Sequence, residues 1–281
     1  MKLLSFRTEG RALYGAVVGE GVVDLADRVG DRYPTLRAAL AGGALAELDR
    51  IARGAPLDYA LRDIAYDPVI PAPDKILCIG LNYRTHAAEM ARELPANPSV
   101  FARLHNTLAA HGDTLPRPRV STHFDFEGEL AVIIGRGGRH IRAEDALKHV
   151  AGYTCFLDGS VRDFQKHSVT AGKNFPRTGP LGPWMATADE IPDPTTLTLV
   201  TRLNGTEVQR DTVDHLIYPI PTLIQYLSTI TPLEPGDIIA TGTPHGVGAG
   251  RTPPLWMKAG DVIEVDISNI GVLRNAVVDE T

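Results

Sequence analysis

The sequence contains 281 residues, of which 43% are hydrophobic and 22% are charged, as is usual for a soluble globular protein. This length accommodates one large domain, or a large domain together with a small one. The net charge of -6 argues against a nucleic-acid-binding protein, which is usually basic, and no apolar run approaches the roughly 20 residues of a membrane span.

Cysteine usage and the N-terminal residues bear on the cellular compartment. Cys78 and Cys155 lie in apolar, strand-like runs, and neither has a Cys-x-x-Cys partner, so we expect buried free thiols and no zinc site. Residues 1–7 lack the apolar region of a signal peptide. A cytoplasmic location is therefore expected.

The first 70 residues are predicted to form a small N-terminal domain. Short strands with glycine turns are predicted at 2–6, 12–18 and 21–25, and short helices at 36–40 and 44–52. No catalytic constellation is evident there, which favours a structural role.

A stiff linker follows this segment. Pro68, Pro71 and Pro73 cluster, and proline fixes its own φ and forces the preceding residue into an extended conformation. We place the domain boundary here, so that residues 71–281 form the larger, catalytic domain.

The larger domain is predicted to begin with a buried strand at 75–80, followed by a turn into a helix over 81–90. His86 and Glu89 are three residues apart and share one helix face. A carboxylate beside an imidazole orients it as a general base, although such a pair on a helix is usually a surface pair. Residues 94–123 are predicted to be loops apart from a strand at 99–103. His105 and His111 in this region are incidental or line a site.

Residues 124–135 contain an acidic Glu-Gly-Glu segment directly before an apolar run. Side chains alternate along a strand, so Glu127 and Glu129 lie on the same face. Two neighbouring carboxylates repel each other and need positive charge between them if they are buried. A divalent metal with oxygen ligands is the simplest candidate. The alternative is an edge strand with both acids in solvent.

A second apolar strand is predicted at 150–158, after a short helix within 141–149, and it ends in Asp158. This carboxylate is either a ligand or a helix N-cap. Arg162 and Gln165 follow at spacings of four and three residues, which lets the three side chains converge on one helix face.

Residues 171–184 are rich in glycine and proline and are predicted to be a loop. Lys173 is its most plausible reactive cation, whereas a solvated lysine is the common alternative. Asn204-Gly205 predicts a hairpin between strands at 196–203 and 206–210.

The last quarter of the chain is predicted to hold a helix at 221–228 and terminal strands at 261–267 and 271–278. Between them, a strand runs into a glycine-rich loop at 233–248. Backbone amides and the hydroxyl groups of Thr241 and Thr243 suit a carboxylate or oxyanion there, unless the loop is only a connection. Many strands and few long helices indicate a β-rich α+β fold.

Four motifs in this order resemble the fumarylacetoacetate hydrolase family over residues 70–280. They are residues 82–89 (NYRTHAAE), 126–132 (FEGELAV), 158–165 (DGSVRDFQ) and 241–248 (TGTPHGVG). The resemblance implies a mixed β-roll catalytic domain, a homodimer and a small-molecule oxo-acid substrate, with no nucleic-acid or membrane partner.

The resemblance also implies roles for individual residues. It places Mg²⁺ or Mn²⁺ on Glu127, Glu129 and Asp158, which as three carboxylates form a hard oxygen site. It makes His86 and Glu89 the water-activating pair and Lys173 a polarising group. Substrate contacts fall to Arg162, Gln165 and Thr243.

The implied reaction is hydrolysis of a carbon–carbon bond in a β-diketo acid such as an acylpyruvate, fumarylacetoacetate or a diketo sugar acid. The alternatives on the same metal site are oxaloacetate decarboxylation and isomerisation of an oxo-diacid. The lysine motif departs from the family pattern, since many members continue it as Lys-Ser-Phe-Asp and this chain has Asn174, Phe175 and Pro176.

Overall fold

The structure is a computed structural model that describes residues 1–89 and 96–281. Its strands are β1 (Lys2–Thr8), β2 (Arg11–Val18), β3 (Gly21–Asp24), β4 (Tyr59–Ala60), β5 (Ala65–Tyr66), β6 (Ile76–Gly80), β7 (Ser99–Arg103), β8 (Leu108–Ala109), β9 (Thr114–Arg117), β10 (Phe124–Asp125), β11 (Gly128–Ile134), β12 (Val150–Leu157), β13 (Ser160–Val161), β14 (Gly179–Thr187), β15 (Thr198–Leu203), β16 (Thr206–Thr212), β17 (Ile238–Ala240), β18 (Val262–Ile267) and β19 (Gly271–Asp279). The α-helices are α1 (Ala26–Val29), α2 (Leu36–Ala41), α3 (Leu45–Gly54), α4 (Arg84–Glu89), α5 (Arg162–Gln165), α6 (Val169–Lys173) and α7 (Ile220–Ile230). Short 3-10 helices include Ala143–His149 and Gly248–Gly250.

A large mixed sheet forms the centre of the molecule. Its strand order is β4-β3-β2-β1-β14-β12-β11-β17-β6-β7, with β5 also paired to β1 and β8 to β14. Most neighbours are antiparallel, whereas β17 and β6 run parallel. A five-stranded sheet, β16-β15-β18-β19-β9, and the small β10-β13 pair complete the β structure. The predicted β-rich α+β class is confirmed.

Strand β11 is buried along its whole length because layers cover both of its faces. Leu130, Val132 and Ile134 join the core that also contains residues of the five-stranded sheet. Ala131 and Ile133 join the other core, which contains residues of α2 and α3. The alternation of side chains along a strand sends them to opposite sides, and a strand covered on both faces reads as an unbroken apolar run.

The N-terminal strands continue the large sheet. Strand β1 pairs with β14, with Lys2 opposite Ala186 and Leu3 opposite Met185. The elements predicted in this segment are present, within a few residues of their predicted bounds. The division of the chain at residue 70 stays a prediction.

Two predicted loops contain regular structure. Residues 171–184, predicted as a loop, include the end of α6 and most of β14, a strand in the middle of the large sheet. Glycine and proline conceal this strand in the sequence, because they are depleted from most sheets. Strands β8 and β9 likewise lie within 94–123.

Several other predicted elements are confirmed. The Asn204-Gly205 hairpin joins β15 and β16, with both residues at positive φ, +53° and +77°, as a two-residue turn of this kind requires. The helix predicted over 81–90 is described only to Glu89, and Met90 and residues 94–95 of the predicted loop lie outside the described residues. Among the described helices, none has the length and apolar character needed to cross a membrane.

Candidate metal centre and active site

Glu127, Glu129 and Asp158 form a buried carboxylate cluster. Strands β11 and β12 pair so that Gly128 lies opposite Leu157, and the Asp158 amide donates to the Glu127 carbonyl at 2.8 Å. This register brings the end of β12 beside the start of β11. One carboxylate oxygen from each of the three residues lies within 4.8 Å of the others. The predicted convergence of the two glutamates is confirmed. Both are buried, so the alternative prediction, an edge strand with both acids in solvent, is wrong.

Lys173 lies inside this cluster. Its ammonium group is 2.5 Å from Glu127 Oε2 and 2.6 Å from Asp158 Oδ2, and its side chain is 3% exposed. Burial lowers the pKa of Lys173, but Asp158 and Glu127 outweigh that effect and hold the pKa above its ordinary value. Lys173 is therefore a buried cation, and the interpretation as a solvated loop lysine is wrong.

Arg162 lies at the rim of the same cluster. Its Nε donates to Asp125 Oδ2 at 2.7 Å, and Nη2 lies 2.6 Å from Glu127 Oε1. Nη1 donates to Gln165 Oε1 at 3.0 Å, so the predicted convergence of Arg162 and Gln165 is confirmed. Asp158 is not an N-cap, since Val161 precedes the first residue of α5.

Sequence reasoning missed two buried residues beside the carboxylate cluster, Arg103 and Asp125. Arg103 Nη1 is 2.5 Å from Asp158 Oδ1 and 3.1 Å from the carbonyl oxygen of Gly159, and its Nη2 donates to Thr178 at 2.8 Å. Its charge at the end of the predicted strand 99–103 was the available signal. Asp125 is two residues before Glu127 and thus shares its strand face, which was the signal for that residue.

The carboxylate cluster and the charged residues beside it carry more negative than positive charge. Four carboxylates, those of Asp125, Glu127, Glu129 and Asp158, adjoin three cations, Arg103, Arg162 and Lys173. Burial raises the pKa of Glu127, but Lys173 and then Arg162 outweigh it and lower the pKa to about 2. Burial, Asp158 and Glu127 together raise the pKa of Glu129 well above its ordinary value.

The excess negative charge fits a divalent cation. Carboxylate oxygens are the ligands that Mg²⁺ and Mn²⁺ take in proteins, and the carboxylate cluster offers three of them at one point. A divalent ion there would supply the charge that Glu129 lacks. The cluster could therefore hold such an ion on Glu127, Glu129 and Asp158.

His86 and Glu89 are paired as predicted. The imidazole Nδ1 is 3.1 Å from Glu89 Oε2, and Glu89 Oε1 accepts from the Gly246 amide at 2.9 Å. Burial raises the pKa of Glu89, but the bonds to His86 and Gly246 outweigh it and lower the pKa, so the carboxylate is an acceptor. Nδ1–H therefore donates to it, which leaves Nε2 free to accept a proton.

A cavity of about 300 Å³ joins these groups. Its polar lining residues are His86, Glu127, Glu129, Arg162, Gln165, Lys173 and Thr243. Apolar side chains, among them Ile79, Leu81, Phe101 and Val169, form the rest of the wall. Glu89 and Asp158 do not line the cavity, but each contacts a residue that does: Glu89 contacts His86, and Asp158 contacts Lys173.

The two other predicted candidates, His105 and His111, do not line this cavity. His105 is exposed at the start of a 3-10 helix. The His111 ring packs edge-on against Tyr66, and its Nδ1 accepts from the Arg274 amide at 3.2 Å.

The glycine-rich loop, residues 241–250, binds carboxylates, but they are those of the chain itself. The Gly242 amide donates to Glu129, Gly246 to Glu89, and Gly248 to Asp125. The Thr241 hydroxyl donates to the Leu130 carbonyl and the Thr243 hydroxyl to the Gly128 carbonyl. Both hydroxyl hydrogens are thus used inside the protein, which does not fit the predicted donation to a ligand oxyanion.

Comparisons with known proteins agree with this geometry. The family model for the fumarylacetoacetate (FAA) hydrolase C-terminal region matches residues 75–278. The chain is 44% identical to the oxaloacetate tautomerase YisK of Bacillus subtilis (strain 168) over 225 residues. This alignment covers 78% of this chain and 75% of that protein. The mitochondrial oxaloacetate tautomerase Fahd2a of Rattus norvegicus is 37% identical over 93% of this chain and 85% of that protein.

A solved structure extends the likeness to the whole fold. The maleylpyruvate hydrolase from Sphingobium sp. SYK-6, crystallised in complex with manganese(II) ion and pyruvate, superposes with a TM-score of 0.84 at 29% identity, covering all of both chains. The family match, the tautomerase relatives and the common fold together show that this chain belongs to the fumarylacetoacetate hydrolase family.

Proposed function

We propose that this protein is a divalent-metal-dependent tautomerase that interconverts the keto and enol forms of a 2-oxo-diacid such as oxaloacetate. The observation that carries the proposal is the cavity that His86 shares with Glu127 and Glu129 of the carboxylate cluster, which puts a proton acceptor next to a candidate metal centre. The 44% identity to an oxaloacetate tautomerase supports this choice of reaction.

Tautomerisation moves one proton between C3 and the oxygen on C2 of the substrate, with no gain or loss of other atoms. A bound divalent ion would polarise the 2-oxo group as a Lewis acid and so make the C3 hydrogens more acidic. His86 lines the same cavity, and its Nε2 is not used in the Glu89 bond, so it can take the proton from C3 and give it to the C2 oxygen, or carry it in the reverse direction.

The cations at the cavity wall match the charge of this substrate class. Lys173 and Arg162 both line the cavity, and negative charge that develops on the C2 oxygen is stabilised by fixed positive charge in a site shielded from water. Arg162 with Gln165 offers donors for a substrate carboxylate, since guanidinium groups bind carboxylates well.

Hydrolysis of a carbon–carbon bond in an acylpyruvate is the second candidate. The His86–Glu89 pair has the construction of a water-activating base, and the chain shares its fold with a maleylpyruvate hydrolase. Hydrolysis needs an ordered water beside His86. Decarboxylation of oxaloacetate is a third candidate, which needs stabilisation of the enolate charge and no attacking water. Tautomerisation needs only the base and the polarised carbonyl.

The test measures all three reactions on one preparation. Purified protein with Mn²⁺ or Mg²⁺ receives enol oxaloacetate, keto oxaloacetate or an acylpyruvate, with loss of enol absorbance followed in the ultraviolet and products identified by chromatography. We expect fast loss of enol, with much slower formation of pyruvate and of acylpyruvate cleavage products.

Two variants make the test specific. Glu129→Gln should lose the tautomerase activity because it lacks a proposed metal ligand, and His105→Gln, which changes an exposed histidine outside the cavity, should keep it. If the acylpyruvate is cleaved and enol loss matches the protein-free rate, the hydrolase is the correct function and the tautomerase proposal is wrong.

A further inference from the structure

The Asp125 carboxylate is completely buried and does not line the cavity. Its Oδ1 accepts from the amides of Phe126 at 2.8 Å and Gly248 at 2.7 Å. Its Oδ2 accepts from the Ala249 amide at 3.0 Å and from Arg162 Nε at 2.7 Å. Four N–H donors therefore surround one carboxylate, which makes its position unusually well fixed.

These bonds connect Arg162 to the glycine-rich loop. The loop cannot move away easily, because the same segment also holds Glu129 through Gly242 and Glu89 through Gly246. The backbone approaches Asp125 closely at Gly248, where an added Cβ would lie 2.5 Å from Oδ1 and 1.8 Å from the Leu255 carbonyl oxygen. Glycine is thus required for the contact.

The Arg162 guanidinium carries five N–H donors, more than its protein partners use, and its side chain lines the cavity. Nε is bound to Asp125 and Nη1 to Gln165. Nη2 is buried and paired with Glu127 Oε1 at 2.6 Å, whereas Nη1 carries two hydrogens, of which Gln165 takes one. A guanidinium binds a carboxylate well only in the correct orientation, since its donors form a rigid planar fork. What fixes the plane of Arg162 therefore fixes the direction in which its remaining N–H donors face.

We propose that Asp125 is a positioning residue that orients Arg162 for binding of the substrate carboxylate, using the glycine-rich loop as its anchor. The inference rests on the proposed function in taking the substrate to be an oxo acid. Asp125 itself touches neither substrate nor metal and acts only through Arg162. The orientation of the guanidinium, beyond its charge, then determines affinity for the ligand.

Asp125→Asn is the most informative change. Asparagine has nearly the same shape, but one of its two terminal atoms is a donor. In either orientation of the amide, that donor faces two of the four N–H groups, so either the Arg162 and Ala249 bonds or the Gly248 and Phe126 bonds are lost. The loop anchor or the guanidinium bond is broken with little change in volume.

The experiment is a double-mutant cycle on oxalate binding to the Mn²⁺-loaded protein, measured by titration calorimetry. Asp125→Asn and Arg162→Gln should each raise the dissociation constant for oxalate by about tenfold or more, which is the size of one lost charged hydrogen bond. The double variant should bind oxalate no more weakly than whichever single variant has the lower oxalate affinity, because Asp125 acts through Arg162.

A matched control is Asp237→Asn. Asp237 is also buried and also accepts from several donors, the amides of Lys75 and Glu234 and the Lys75 ammonium. Unlike Arg162, the partner of Asp125, neither Lys75 nor Glu234 lines the cavity. This variant should lose stability and keep oxalate affinity. The dissociation constant for Mn²⁺ is measured for every variant, so that a lost metal is distinguished from a lost carboxylate contact.

Two results would overturn the proposal: wild-type oxalate affinity in Asp125→Asn, or losses that multiply in the double variant. If Asp125→Asn does not fold, Arg162→Lys is measured instead, because it keeps the charge and loses the oriented fork. Wild-type oxalate affinity in Arg162→Lys refutes the proposal, and a tenfold loss of affinity supports it. Oxalate binding needs no turnover, so a failed tautomerase assay alone leaves this result interpretable.

Discussion

Replacing Arg103 by Met gives a stability change that follows directly from the structure. The Arg103 side chain is fully buried and pairs with the equally buried Asp158, and it also donates to Thr107, Gly159 and Thr178. Methionine fills much of the same space and offers no donor. The change therefore leaves a buried carboxylate with one cation fewer.

The magnitude follows from the burial of both partners. Removing one partner of a buried ion pair costs about 3–5 kcal/mol, and Lys173 still pairs with Asp158, so we expect the lower end, about 3 kcal/mol. An unfolding entropy of about 2.1 cal/mol/K per residue gives roughly 0.6 kcal/mol/K for this chain. The midpoint of thermal unfolding should then fall by about 5 °C.

The assay is thermal unfolding with chelator present, so that every variant is compared without metal. Arg202→Met is the control, since Arg202 pairs with Asp266 at 2.9 Å with side chains 29% and 33% exposed. An exposed pair contributes at most about 1 kcal/mol, or less than about 2 °C. If Arg103→Met changed the midpoint no more than Arg202→Met, Arg103 would not be a strong partner of Asp158 and the charge balance described for the cluster would be wrong.

Three further predictions concern metal, pH and the glycine-rich loop. Glu127→Gln, Glu129→Gln and Asp158→Asn should each weaken Mn²⁺ binding at least about tenfold in calorimetry, and unchanged affinity in all three would exclude this metal centre. Burial and Arg274 lower the pKa of His111, so its contribution to stability is present above pH 6.5 and is lost as the pH falls through the folded-state pKa. The free energy of unfolding in urea should therefore rise with pH in this range by at most about 1.4 kcal/mol per pH unit, and His111→Gln should reduce that slope. An equal slope in both proteins would contradict this. Gly248→Ala should strongly reduce the yield of folded protein, whereas Gly205→Ala, where the turn has open space but positive φ, should cost only about 1 kcal/mol; similar losses in both would argue against the close approach at Gly248.

The sequence was sufficient wherever local periodicity determined the outcome. The alternation of β11 put Glu127 and Glu129 on one side, and the helical spacing of His86 and Glu89 put them in contact. The hairpin at Asn204-Gly205 follows from the φ preferences of its two residues. The order of the four motifs then indicated the family.

The sequence was insufficient where long-range pairing determined the outcome. Arg103, at the end of the edge strand β7, contacts Asp158 across 55 residues of sequence. Strand β14 was hidden by its glycines and prolines. The composition of the glycine-rich loop suggested either an anion site or a plain connection, and no local pattern could show that the loop binds Glu129, Glu89 and Asp125.

The departure at Asn174 also has a structural explanation. Its side-chain oxygen accepts from the Leu104 amide at 2.7 Å, and its Nδ2 donates to the carbonyl oxygens of Ala102 and Thr170. Asn174 thus links the end of β7 to α6, directly after Lys173. Residue 174 supports the position of Lys173 here without the serine that many family members carry.

The central claim is that His86 transfers a proton beside a divalent ion held by the carboxylate cluster. Its most direct test is the rate of enol-to-keto conversion of oxaloacetate at saturating Mn²⁺, for wild type, for His86→Gln, and for wild type with excess chelator. We predict that His86→Gln retains Mn²⁺ and loses roughly 10²–10⁴-fold in rate, the usual contribution of a positioned base, and that chelation abolishes the activity. A wild-type rate in His86→Gln, or full activity in chelator with no metal bound, would contradict the mechanism.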